Sequence, residues 1–303
     1  MRTRSPAGVV ESVHRPPVLR LLHEAKVATL LGGAGRFEAS GVLAFDGWVW
    51  VVFDNLPHVA RIDRALVAGP RSALIRQPDA AVGYEDIAHD STDGRFFLLV
   101  EAVLRGSGFM AQVRELDSEL QPLATRWLDV PLEQANKGLE GLSCIRRDGR
   151  THLLGLCEGN RGAGGEQGRR PGGGRVHVFV EGSAEWERLA TIRLPASLRF
   201  TDYSGISVAG DRVGVVSQES SALWVGRLAP SGWELIDEGT TYVFPRDERG
   251  RIRYGNIEGV CWLSEDELVV VSDRAKPTQP RRLRAKDQSV HRFALPAAER
   301  SDW

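Results

Sequence analysis

Two sets of carboxylates recur along the chain at matching places. Glu85, Glu140 and Glu258 each open an apolar run, and Ser40 and Ser204 hold the same place in two further runs. A second acid follows each of these points after 14 to 18 residues: Asp54, Glu101, Glu158, Glu219 and Asp273. If the two sets meet in space, their like charges repel. A proton, a cation or a basic side chain must then intervene. Carboxylate oxygens suit calcium or magnesium, not a soft metal. His58, Lys137, Arg161, Arg274 and Lys276 lie just outside the acid positions. A cation together with such bases makes a site for a small anionic ligand.

The elements that would bring the acids together are visible as a repeat. Five segments share the order apolar strand, polar turn, apolar strand, acid: Ser40–Asn55, Tyr84–Ala102, Leu139–Asn160, Tyr203–Ser220 and Ile257–Arg274. Their turns read DG, TDG, RDG, AGD and SED. Asp-Gly and its relatives supply the positive φ of a tight hairpin. A third strand follows each pair (HVARID, QVRELD, RVHVFV, LWVGRL, SVHRFAL), and a fourth is clear in WERLATIRL. Four antiparallel strands per unit, at intervals of 45 to 64 residues, predict an all-β propeller in one domain over residues 1–303. Five blades are expected, with room for a degenerate sixth in residues 1–38 or 230–256. The last unit runs out of chain, so Val18–Leu31 should supply its outer strand and close the ring. The repeated acid pair argues against a β-sandwich.

Antiparallel pairing turns the spacing into geometry. The start of one strand lies beside the end of its hairpin partner, so both acid sets belong to one mouth of the central channel. Insertions after the second strands emerge there too: Arg105–Met110, Gly159–Gly174 and Arg274–Asp287. The second of these is half glycine and reads as a flexible insert. It lacks the strand-to-helix context and the Lys-Ser/Thr ending of a phosphate-binding P-loop. A Glu heading an inner strand has a structural alternative, accepting backbone N–H bonds from the next blade.

NKGLEGLSCIRRDGRTHLLGLCEGN and YGNIEGVCWLSEDELVVVSD resemble the phytase-like (esterase-like phytase) β-propeller family, with echoes of the SdiA-regulated propellers. The resemblance implies five or six blades, bound calcium (magnesium less so) and action on phosphate esters. Residue by residue, it carries Glu140, Glu158, Glu258 and Asp273 over as the acids. Glu85 matches with Asp86 where a glycine is usual, and two units have Ser-Gly for Glu-Gly. The expected metal ligands are therefore Glu85, Glu140, Glu158, Glu258 and Asp273. Glu258 is the expected catalytic base, with Arg274, Lys276 and Lys137 holding the anion.

Other chemistry has little support. A net charge of −1 and a pI near 6.7 give no basic field for nucleic acid. No run approaches a membrane span. Three cysteines, Cys144, Cys157 and Cys261, sit in apolar runs without zinc spacing, which fits free thiols in a reducing compartment. The start MRTRSPAGVVESVHRPP has no apolar stretch of a signal peptide, so a cytoplasmic location is expected. YSGIS at Tyr203–Ser207 is not a nucleophile elbow. Trp48, Trp50, Trp224 and Trp262 are expected to pack between blades. Three functions follow: a metal-dependent hydrolase of a small anionic, phosphoester-like ester; a lactonase-like hydrolase using Glu258, Asn256 and Asp273; and a non-catalytic binding or scaffold propeller.

Overall fold

The computed structural model describes residues 15–78, 83–132 and 138–296. Strand β1 (Arg20–Lys26) runs into a short helix, α1 (Val27–Leu31). Blade one follows as β2 (Ala39–Phe45), β3 (Trp48–Phe53), β4 (His58–Asp63) and β5 (Ala73–Arg76). Blade two is β6 (Ile87–Asp90), β7 (Arg95–Arg105), β8 (Gly108–Leu116) and β9 (Pro122–Leu132). Blade three is β10 (Leu139–Arg147), β11 (Arg150–Cys157), β12 (Arg175–Glu181) and β13 (Trp186–Arg193), with the one-turn helix α2 (Gly165–Gly168) before β12. Blade four is β14 (Gly205–Ala209), β15 (Arg212–Ser217), β16 (Ala222–Arg227) and β17 (Thr240–Val243). Blade five is β18 (Ile257–Trp262), β19 (Glu267–Ser272) and β20 (Ser289–Ala294), completed by β1. Blades two and three touch through one parallel bridge, Trp186 to Leu128.

The propeller thus has five blades, and its ring is closed by the N-terminal strand. Residues 230–256 add the outer strand β17, not a sixth blade. β1 pairs antiparallel with β20 from Arg20–Ala294 to Lys26–Ser289. Side chains latch the same seam. Glu24 pairs with Lys286 and, at 3.3 Å, with His291, and Lys26 meets Asp287 at 2.9 Å. The His291 and Lys286 contacts hold Glu24 at a pKa of about 2 against the opposing effect of burial.

Five apolar clusters form the core, one in each wedge between adjacent blades. A middle strand is buried on both faces, which is why its sequence is continuously apolar. In β3, Val49, Val51 and Phe53 face blade five, while Trp50 and Val52 face blade two. Trp224 and Trp262 also fill wedges, and Trp48 lies under Arg61 at 4.6 Å. All three cysteines are free thiols, with Cys157 and Cys261 buried.

The inner strands have no further strand to pair with, so their backbone groups need other partners. The next blade supplies them. Asp86 accepts from Leu142 N at 2.7 Å, Ser143 from Val208 N at 3.0 Å and Ser207 from Trp262 N at 3.3 Å. Cys261 Sγ accepts from Ala44 N at 3.2 Å. Ser204 donates to Ile257 O at 2.9 Å, and Ser40 donates to Tyr84 O.

Glycines set how closely these strands approach. Gly41, Gly141, Gly205 and Gly259 hold one level of the channel, and Asp86 holds it in blade two. A Cβ on Gly205 would sit 2.3 Å from Glu258 O, and one on Gly41 2.4 Å from Asp86 Cα. Gly205→Ala should therefore force two inner strands apart. A loss of about 1–3 kcal/mol is expected from such overpacking, read as a lower urea midpoint at an unchanged slope.

Candidate functional site

Bulges aim the mouth's side chains. The β2–β3, β10–β11 and β18–β19 ladders each shift register at one residue: Ser40, Glu140 and Glu258. A bulged residue leaves the ladder's alternation and can be re-aimed. The β7–β8 ladder also shifts between Val100 and Val103, across Glu101 and Ala102. Glu101, Glu140 and Glu158 result as a trio whose oxygens lie within 4.8 Å of one another. Glu101 Oε1 also accepts from Gly138 N at 2.9 Å.

The remaining acids adjoin this trio. Burial and repulsion from Glu101, Asp54, Glu158 and Asp273 push Glu85 up to about 8. Burial, then Glu85, Glu158, Glu101 and Glu258, holds Glu140 well above the usual carboxylate range. Glu258 is raised by burial, then by Asp273, Glu85 and Asp54, against the pull of Lys276. Asp273 reaches about 7 through burial, Asp54 and Glu38, although Arg274 N–H and Lys276 oppose the rise. Asp54 reaches about 6 through burial and Glu38. Burial leads each of these shifts, and repulsion among the neighbouring carboxylates adds to it.

The sequence-derived positions are thus brought together at one mouth: Glu85, Glu140, Glu158, Glu258 and Asp273. Lys276 is exposed, and its charge acts on Glu258, Asp273 and Asp54. The Arg274 backbone donates to Asp273, while the residue itself is exposed. Arg161 is occupied by the Arg170 carbonyl at 3.0 Å. Lys137 lies outside the described residues. Inter-blade N–H bonds, the structural alternative for a leading Glu, fall instead to Asp86, Ser143, Ser207 and Cys261.

Two neighbours, Gln218 and Asp202, went unread in the sequence, and a third, Asn256, was read only for the lactonase-like alternative. Gln218 donates to Glu258 Oε1 and fixes that carboxylate. Asp202 is raised by burial, while Ser217 and the Glu219 N–H donate to it. Asn256 is 2% exposed, and its Oδ1 has no hydrogen-bond partner among the described residues. Gln218 and Asp202 carried no signal in the sequence, whereas Asn256 did, as the residue two places before Glu258.

The Gly-rich segment folds over Asn160, which is fully buried. Its amide donates to Gly168 O at 2.9 Å and accepts from Gly173 N at 2.9 Å and Tyr203 Oη at 3.0 Å. Arg169 crosses to Glu219. Between this loop and Asp202 lies a cavity of about 180 Å³ that also touches Glu158. A second cavity, about 220 Å³, lies among the inner strands and is lined by Ser143, Cys144, Ser207 and Cys261.

No family model matches the chain, and no curated protein does. The phytase-like resemblance therefore rests on the repeat motifs alone. Solved structures do match. The PQQ-bound aldose sugar dehydrogenase of Streptomyces coelicolor is 14% identical, with a TM-score of 0.51 over 93% of this chain and 100% of that one. The glutaminyl cyclase of Myxococcus xanthus is 10% identical, with a TM-score of 0.56 over 93% and 98%. These likenesses are of the propeller fold alone. Among the described residues, no helix is long and apolar enough to cross a membrane.

Proposed function

We propose that the acid mouth holds a divalent cation, calcium in preference to magnesium, and hydrolyses a small anionic ester of the phosphoester kind. The supporting observation is the closeness of Glu101, Glu140 and Glu158, next to Glu85, Glu258 and Asp273 with their raised pKa values. The donor set fits the group: many carboxylates at irregular positions suit calcium's six to eight oxygens better than magnesium's strict octahedron. Glu85, Glu101, Glu140, Glu158 and Asp273 would hold the ion. When bound, it would offset their repulsion and supply Lewis-acid polarisation of the ester oxygen.

The protein's own groups have separable tasks in this reading. Glu258, fixed by Gln218, accepts the proton of the attacking water. Lys276, with Arg274 and Lys137, holds the substrate's negative charge. Purified protein should turn over phosphomonoesters with calcium and lose that turnover with chelator. Glu258→Gln should lower kcat by about a hundredfold or more, the usual worth of a general base. Turnover that ignores both chelator and Glu258→Gln would end this reading.

One observation favours a lactonase-like variant. The unpartnered, buried Oδ1 of Asn256 would be a neutral oxygen ligand beside Glu258 and Asp273. Lactone hydrolysis with calcium or zinc, set against phosphoester hydrolysis, separates the two.

A further inference from the structure

Blade three carries a second charged site, of opposite sign. Its outer hairpin, β12 and β13, places Arg175 directly opposite Arg193. Side chains so paired have Cβ atoms about 4.5–5.5 Å apart, and like charges there destabilise the sheet. The next pair on the same face is His177 with Thr191, joined at 2.9 Å between Nδ1 and Oγ1. Beyond it, Arg188 stands opposite Phe179 at a register shift. Arg175, His177, Arg188, Leu189, Thr191 and Arg193 help line a groove of about 370 Å³ that has no acid in its wall.

Several arginines elsewhere find partners, as Arg95 does with Glu115 and Glu181, Arg169 with Glu219 and Arg292 with Glu267. Among the described residues, the side chains of Arg175, Arg188 and Arg193 have no ion pair, hydrogen bond or ring partner. Their field is nonetheless felt. Burial, then Arg188 and Arg175, pushes His177 down to about 4, so the ring is neutral at pH 7. Three convergent guanidiniums, a hydroxyl and a neutral imidazole form a donor-rich pocket. An occupant must be anionic, compact and rich in acceptors, because guanidinium forks match the oxygens of such a group.

We propose that this groove binds a tetrahedral oxyanion, either inorganic phosphate or the phosphate group of a small monoester. The site stands on blade three and does not depend on the reading of the mouth.

The test is a titration of the full-length protein with inorganic phosphate and, separately, glycerol 3-phosphate. Chelator is present and chloride is held constant, and NMR follows the His177 ring. A saturable shift is expected, with the His177 titration midpoint raised by about one unit when the anion is bound. A tighter monoester would identify the occupant as a phosphorylated metabolite, and equal affinities would identify the free anion. Arg193→Glu turns a like-charge pair into an opposite one. It should raise the melting temperature in phosphate-free buffer and abolish the saturable shift. Arg193→Gln should keep the fold and weaken binding about tenfold. A response that chloride reproduces, or one that survives both substitutions, overturns the proposal.

Discussion

Glu140→Gln should lower calcium affinity by about a hundredfold while raising the melting temperature of the chelated protein. The two effects have one cause. Glu140 is half-buried among Glu85, Glu158, Glu101 and Glu258, all of which disfavour its charge. Removing that charge relieves the metal-free fold and deprives the ion of a ligand. Calorimetric calcium titration reads the first effect, and thermal melts in chelator read the second. A Glu140 that served only as a strand-end side chain would move neither in this direction. Lower stability in chelator together with unchanged affinity would refute the site.

The metal-free protein should also lose stability as pH rises from about 4 to above 8. Asp54, Asp273 and Glu85 titrate near 6, 7 and 8 in the fold, against about 4 in the unfolded chain. Between those limits the native state binds more protons than the unfolded one. Stability then falls with pH, because its slope follows the protons bound by the unfolded state minus those bound by the native state. This penalty is absent below the unfolded values and complete above the folded ones. It reverses the usual behaviour of carboxylates paired with bases. Excess calcium should flatten the curve, since it binds the ionised form. Melting temperatures at stepped pH, with chelator and with calcium, check both arms.

The fold was legible because its signals were redundant. Each inner hairpin had its turn chemistry, its doubly buried middle strand and a third strand at regular distance. The missing outer strand of the last unit pointed to Val18–Leu31. Within that stretch the helix α1 was not visible, since VATLL is apolar in either conformation. The gathering of acids at one mouth was legible, but the closeness of Glu101 to Glu140 and Glu158 was not. Alternation along a strand gives no warning that Glu101 sits at a bulge, yet this bulge brings it to Glu140 and Glu158. Asp86 looked like a departure from a Glu-Gly motif. In the structure it occupies the glycine level and accepts from the next blade, a role visible only once the blades are placed. The arginines of blade three gave no signal in the sequence, because their opposition across β12 and β13 requires the register.

The closing seam has a consequence for the timing of synthesis. β1 leaves the ribosome long before its partner β20. At about 5–20 residues per second, β1 waits on the order of ten seconds to a minute for its neighbour. Meanwhile blades one to four can assemble in order from hairpins already made. Through that interval the nascent chain carries an unsatisfied β edge at its leading end. Until β20 is released, it is an open arc with an unpaired closing strand, and chaperone capture or pairing between neighbouring nascent chains would strike there first.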